Sequence, residues 1–352
     1  MAPPLRIHRL HKQDADPAEL VRLQSALGSS EAYVRAQFQL FIESVRVPEI
    51  LSQLASAIAS GRWYDAYEIV DSYIVRLANN IVSMIPMIGR REAEALAVQQ
   101  GIASAGVGIS FDPTSPQVIE AMQRNRAKFI VEMTTDQRLS INQTLAQAMR
   151  EGQNAQAAAV RLREALGLTS YQQSMVQNYR SLLETNNRQA LDRALRDRRY
   201  DRGLENAIEE GEILPEERIN VMVDRYRERL LRMRADTIAL TEGGRILEET
   251  RFLSTQQSVD DAGIPRNQAV KQWVTTRDGR ERDTHAAMDG QARLIDDYFD
   301  SPSGAQLLYP HDDRAPPGET IRCRCQVTNH IFTTFEEAVA FLEANGQGRY
   351  NR

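Results

Sequence analysis

Two cysteines occur in 352 residues, and both lie in one triplet, Cys323-Arg324-Cys325. A C-x-C pair closes too small a loop for an unstrained structural disulfide. No disulfide framework can therefore organise this chain, and it reads as folding in a reducing cytosol. Order has to come from a buried core, and the length is ample for one and suggests two domains. With 42% hydrophobic and 26% charged residues the composition is that of a globular protein. Aromatics reach only 6%, which suits long Ala/Gln/Leu/Arg helices better than a large sheet.

The net charge of −5 gives no overall pull toward nucleic acid or an anionic membrane. Lysine occurs only at Lys12, Lys128 and Lys271, so nearly every cation is arginine. Arginine suits fixed bidentate pairing at interfaces and with phosphates, although a codon bias explains the count equally well. Met1-Ala-Pro-Pro-Leu-Arg6 lacks the pattern of a secretory signal. The most apolar window, Tyr73 to Ile88, is broken by Arg76, Asn79, Asn80 and Pro86 and should not span a bilayer. No membrane is needed for folding.

Periodicity divides the chain into four parts. Residues 1–16 read as a flexible polar arm, and His8 and His11 within it as solvated side chains. Asp16-Pro17 opens a helical region over 17–106, with Asp as cap and Pro at the first helical position. Tyr33, Val34, Phe38, Leu40 and Phe41 share helical spacing there, as do Tyr67, Val70, Tyr73, Ile74, Leu77 and Ile81 further on. Gly106 to Pro116 is a break. A helical body over 107–256 follows, with separate helices from Pro116, over Thr135–Glu151 and over Asn154–Leu166. Residues 171–250 read as almost unbroken helix, its last piece carrying Ile219, Met222, Tyr226, Leu230, Met233, Thr237 and Leu240 on one seam. Near 257 the period changes to strand-like alternation at Val270, Gln272 and Val274, and a short α+β domain over 257–352 closes on a helix capped by Thr333 or Thr334. The expected fold is mainly α with a small α+β C-terminal domain, an elongated helical body carrying a compact head.

That head concentrates the rare residues. If Glu281–Met288 is a helical turn, Arg282, His285 and Asp289 share one face. If Ile321–Val327 is a strand, Cys323 and Cys325 point one way and Arg322 and Arg324 the other. Bringing the faces together yields His285, Cys323 and Cys325 as metal ligands, with Asp289 as a fourth oxygen and zinc as the ion such a set would take. The bland alternative is an Arg282–Asp289 pair beside a hydrogen-bonded His285 and two buried thiols. An enzymatic version uses His285 as general base, Asp289 as its orienting carboxylate, Arg282 or Arg322 on an oxyanion or phosphate, or a cysteine as nucleophile. With no second carboxylate cluster and no Gly-rich phosphate loop, a catalytic residue is not expected.

The string Trp273-Val-Thr-Thr-Arg-Asp278-Gly-Arg-Glu-Arg282-Asp-Thr-His285-Ala-Ala-Met-Asp289-Gly290-Gln291, with Tyr309-Pro310 and Ile321-Arg322-Cys323-Arg324-Cys325, resembles the phage Mu F-like minor head proteins, the phage head morphogenesis family. The resemblance covers the C-terminal third by motif and extends more loosely back to Phe111-Asp-Pro113. It implies a minor capsid protein of a tailed bacteriophage, made in the host cytoplasm and held inside the head near the portal. Its implied partners are the portal protein, the major capsid or scaffolding protein, and packaged DNA. Some relatives carry C-x-x-C where this chain has Arg282-Asp-Thr-His285, and those cysteines look like zinc ligands paired with the C-x-C. Arg282 departs from that pattern, which implies a salt-bridged corner instead. Only a short helix follows the motif, so the toxin or nuclease domain of some relatives is not expected. Two other readings stand beside this one: a metal-dependent DNA hydrolase or nuclease using the His285/Cys323/Cys325 corner, and a DNA-ejection protein released with the genome.

Overall fold

The computed structural model describes residues 16–99 and 111–346. The expected arm with His8 and His11, apart from Asp16, and the glycines of the 106–116 break lie outside those residues. The chain is mainly α, with small antiparallel sheets near its C-terminus, as the periodicity predicts. Contacts group it into two units: Met1–Val34, Ile81–Asn125 and Thr237–Arg352 form one, Arg35–Asn80 and Arg126–Asp236 the other. Four long helices have residues in both groups. These are α1 (Pro17–Ser44), α3 (Trp63–Val82), α5 (Pro116–Arg150) and α9 (Glu216–Asp261).

In the second unit, α2 (Pro48–Ala59) packs on α6 (Ala155–Ala165) through Ile50, Leu54 and Ala57 on one side and Ala158, Ala159 and Leu162 on the other. The ends of these elements follow local chemistry. Asn154 caps α6 by accepting from the Ala157 N–H, and Thr169 with Gln172 forms a capping box on α7 (Ser170–Glu184). The core beside them is apolar: Leu182, Leu183, Ile219, Met222, Val223 and Leu230 surround Tyr179 and Tyr226, whose rings stack at 4.5 Å.

Two helix boundaries differ from the sequence reading. Residues 116–150 form one helix, because the expected break at Thr134-Thr135 contains neither Gly nor Pro and Thr134 folds its hydroxyl back onto the Val131 carbonyl. The expected run over 171–250 is interrupted instead. After Glu184, Asn186 turns left-handed (φ 52°), and Asn187 and Asp197 accept backbone N–H groups that start short 3-10 turns. Then α8 (Asp201–Glu210) ends on Gly211 at φ 72°, before Pro215 starts α9.

In the first unit, residues 239–251 of α9 are buried without a break. This buried turn sequence contains Glu242, Arg245, Glu248, Glu249 and Arg251. A helix enclosed on every face needs thin side chains where backbone approaches. Gly243 provides this opposite α1: a Cβ there would lie 3.1 Å from the backbone of Ser30 and Glu31. Gly244 does the same for the His311 ring, which a Cβ would meet at 2.3 Å. The buried charges are paired: Arg251 with Glu248 and Glu92, Glu92 with Arg22, and Arg245 with Glu242. Glu249 takes Arg124 and Asn125, and Arg251 also donates to the Val327 carbonyl at 2.7 Å.

Strand β1 (Ala269–Val274) is the centre of a three-stranded antiparallel sheet, between β2 (Ala292–Leu294) and β5 (Gln326–Ile331). The alternation read in the sequence is present, yet every residue of β1 is buried, because both faces are covered. Val270 meets Ala338 and Phe341 of α12 (Phe335–Asn345), while Trp273 faces Met288, Phe299 and the two cysteines. Lys271 is buried with them; its ammonium donates to the Ile295 carbonyl at 2.8 Å and lies 5.3 Å from the centres of the Phe252 and Phe299 rings. Helix α12 starts on the expected capping box, with Thr334 and Glu337 as its partners.

Candidate functional site

The segment after β1 turns through Arg277 and Gly279, both left-handed, into the short helix α10 (Asp283–Met288). Asp278 fastens this turn. Its carboxylate accepts from Arg280 and Arg324, and those two hydrogen-bonded guanidiniums hold it well below the usual carboxylate range. Helix α10 presents His285 inward, under the edge of Trp273 at 5.2 Å between ring centres. Gly290 closes the loop at φ 81°, donating to the Trp273 carbonyl at 2.8 Å.

The cysteine segment reaches the same point by a different route from the one expected. Residues 321–325 are not strand; β5 begins at Gln326. Arg322 has φ 56°, a left-handed conformation that no strand accommodates, and it is tied to α9. Its N–H donates to the Thr241 hydroxyl at 3.1 Å and its guanidinium to Thr237 at 2.9 Å. Both sulfurs nevertheless converge: His285 Nδ1 lies 3.4 Å from the Sγ of Cys323 and 3.4 Å from that of Cys325. The three residues are 1%, 1% and 3% exposed, and their donor atoms all lie within 4.8 Å of one another.

The Arg282–Asp289 pair does not form. Arg282 donates to the Ile321 carbonyl, and Asp289 accepts from the Thr275 N–H and from Arg277, each at 3.1 Å. Asp289 is thus neither the carboxylate that orients His285 nor a fourth oxygen beside it. The orienting carboxylate is Glu319, whose Oε2 sits 2.7 Å from His285 Nε2. The sequence reading passed over Glu319, although its place, four residues before the C-x-C and just after Pro316-Pro317, marks it as a buried turn carboxylate.

His311 is the other participant missed. It is fully buried with φ 65°, packs against Gly244, and neither ring nitrogen has a hydrogen-bond partner. Burial pushes its pKa down, and Cys323, Arg245 and His285 are its electrostatic neighbours. Burial would raise the Cys323 thiol, but the Cys325 residue, His311 and His285 outweigh it and hold it well below its usual value. For His285 burial also opposes the charged form, and Cys323 and Glu319 outweigh it in the upward direction. The Cys325 N–H donates to Cys323 Sγ at 3.4 Å, a bond that favours thiolate. Chemically this is a dry, two-sulfur, imidazole corner with a carboxylate behind the ring.

A family model described as phage Mu protein F like protein matches residues 139–328, more than half of the chain. The chain belongs to that family. The match runs through α5 to β5 and takes in Trp273, His285, both cysteines and Glu319. No curated protein and no solved structure matches the chain. Membership makes this Mu F-like chain a phage head morphogenesis protein, associated with the virion and with other capsid components, in a family that is generally non-enzymatic. Among the described residues no helix is long and apolar enough to cross a membrane.

Proposed function

We propose that this chain is a minor head protein bound to the portal or the inner capsid, assisting procapsid assembly and DNA packaging or delivery. The observation that carries the reading is the family match over residues 139–328. Physical features agree with a binding rather than a catalytic role. The His285/Cys323/Cys325 corner is buried, so a DNA phosphate could not reach it without opening the core. A base, its orienting carboxylate and an anion-binding arginine would have to converge on one open site for hydrolysis. Here Arg282 and Arg322 are engaged on backbone and threonine groups instead. Outward faces of the helices carry Arg–acid pairs such as Arg225–Glu228 and Arg266–Asp260, a surface suited to polar protein contacts.

Mass spectrometry of purified virions with copy counting, together with co-purification of the portal protein, tests the proposal. Few copies per particle and recovery with the portal are expected. Absence from particles, with normal heads in a deletion strain, would sink it. Particles emptied of DNA separate the ejection role: a portal-bound component stays with the empty head, whereas an ejected one is lost.

A further inference from the structure

We propose that His285 Nδ1 and the sulfurs of Cys323 and Cys325 bind a zinc ion, with the His311 imidazole as fourth donor. This inference rests on the corner alone and stands whether or not the chain acts at the portal.

Geometry comes first. With Zn–N near 2.1 Å and Zn–S near 2.3 Å, tetrahedral zinc separates a nitrogen and a sulfur ligand by about 3.6 Å. His285 Nδ1 sits 3.4 Å from each sulfur, equidistant and within a few tenths of an ångström of that spacing. Ring orientation is already fixed. Glu319 takes Nε2, so a neutral His285 keeps its proton there and turns the Nδ1 lone pair toward the sulfurs. Such a carboxylate behind a ligating histidine sets its tautomer and raises its basicity. The Cys325 N–H to Cys323 Sγ contact supplies a donor to a thiolate.

Electrostatics point the same way. Two thiolates in a core of this dryness need a countercharge, and a zinc dication cancels both. Binding therefore releases the two thiol protons to solvent as the Zn–S bonds form.

The fourth donor follows by elimination among the buried groups nearby. Asp289 is held by Arg277 and the Thr275 N–H, and Glu319 by His285. His311 remains, fully buried, with no well-formed hydrogen bond at either ring nitrogen and with Cys323, backbone and sulfur, as an electrostatic neighbour. Its ring lies outside the group of donors within 4.8 Å of one another, so it swings toward the sulfurs to ligate. A buried, unpartnered imidazole is unfavourable as it stands. Ligation answers it. The left-handed backbone at His311 and the missing side chain at Gly244 hold the ring at this depth.

The test uses the full-length chain, produced with added zinc and purified under reducing conditions. One zinc per chain is expected by elemental analysis, with two sulfur and two nitrogen neighbours in X-ray absorption at the zinc edge. Cobalt should replace it and show thiolate-to-cobalt charge-transfer absorption. Glu319→Gln should weaken zinc binding about 10- to 100-fold while leaving the sulfur signal intact. His311→Ala should weaken it by a similar factor and remove one nitrogen neighbour. Cys323→Ser should lose the ion; where that variant fails to fold, the absorption spectrum of the unaltered chain decides. A folded chain that holds no stoichiometric zinc overturns the site, whether its cysteines prove to be a thiolate–imidazolium cluster or a disulfide. A zinc ion with two sulfurs, one nitrogen and an oxygen overturns the place given to His311.

Discussion

The two ends of α9 solve the burial problem in opposite ways. Between Glu216 and Met233, where the helix belongs to the second unit, one stripe of Ile219, Met222, Tyr226 and Leu230 is buried while Asp224, Arg225 and Glu228 face solvent. This is ordinary amphipathic packing, stabilised by apolar area removed from water. Between Ala239 and Arg251, in the first unit, every residue is buried, and the same helix carries five ionisable side chains inside. There the interactions are directional. Each buried charge depends on a named partner, and the enclosure depends on two adjacent glycines. The apolar half tolerates exchange of one hydrophobic for another of similar volume; the ionic half does not tolerate loss of a partner.

That contrast can be broken experimentally. The largest expected effect is from Arg251→Met, which leaves Glu248 and Glu92 short of a countercharge and should cost about 3–5 kcal/mol in denaturant unfolding. Adding Glu248→Leu should recover part of the loss; no recovery would mean that the pair is incidental. Tyr226→Ala should cost about 3 kcal/mol through the cavity beside Tyr179, and this loss should be the same at pH 5 and pH 8. Gly243→Ala presses a methyl on the α1 backbone and should cost about 1–3 kcal/mol by overpacking. A neutral result there would show that α1 can move aside.

Acidity sharpens the comparison further. Burial raises the Glu248 carboxyl to about 7, against the opposing pull of Arg251, from the 4.5 of an unfolded chain. Between those values the folded chain holds a proton that the unfolded chain has released, so this residue's contribution to stability falls as pH rises from 4.5 to 7. Glu248→Gln should flatten the unfolding midpoint over that window, and a variant with unchanged slope would refute the assignment. Lys271 has the reverse sign. Burial lowers it to about 7 from 10.5, so its contribution grows as pH rises between those values, and Lys271→Met should remove that trend. The smallest effect is expected at α12, where Thr334→Ala removes one half of a capping box and should cost about 1 kcal/mol.

Much of the helical part was legible. Asp16-Pro17, Asn154, Thr169 and Thr334 mark helix starts by local hydrogen bonding, and the stripe from Ile219 to Leu230 marks a buried face by its spacing. The failures are equally specific. Thr134-Thr135 imitates a break that the helix absorbs, and Asn186 and Asn187 make a break where no Gly or Pro announces one. In the corner, spacing brought His285, Cys323 and Cys325 together for a partly mistaken reason, since the cysteines lie on a turn rather than a strand.

What the sequence determined by itself was local: where helices begin, which stripe is apolar, that β1 alternates, and that two thiols with C-x-C spacing cannot form an easy disulfide. These follow from hydrogen bonds and periodicities within a few residues of one another. Only the tertiary structure decided which carboxylate stands behind His285, that Asp289 belongs to Arg277 instead, and that His311 and five ionisable residues of α9 are enclosed. Partner choice among several equivalent acids and arginines depends on pairings across 12 to 159 residues of chain, and no local pattern encodes them.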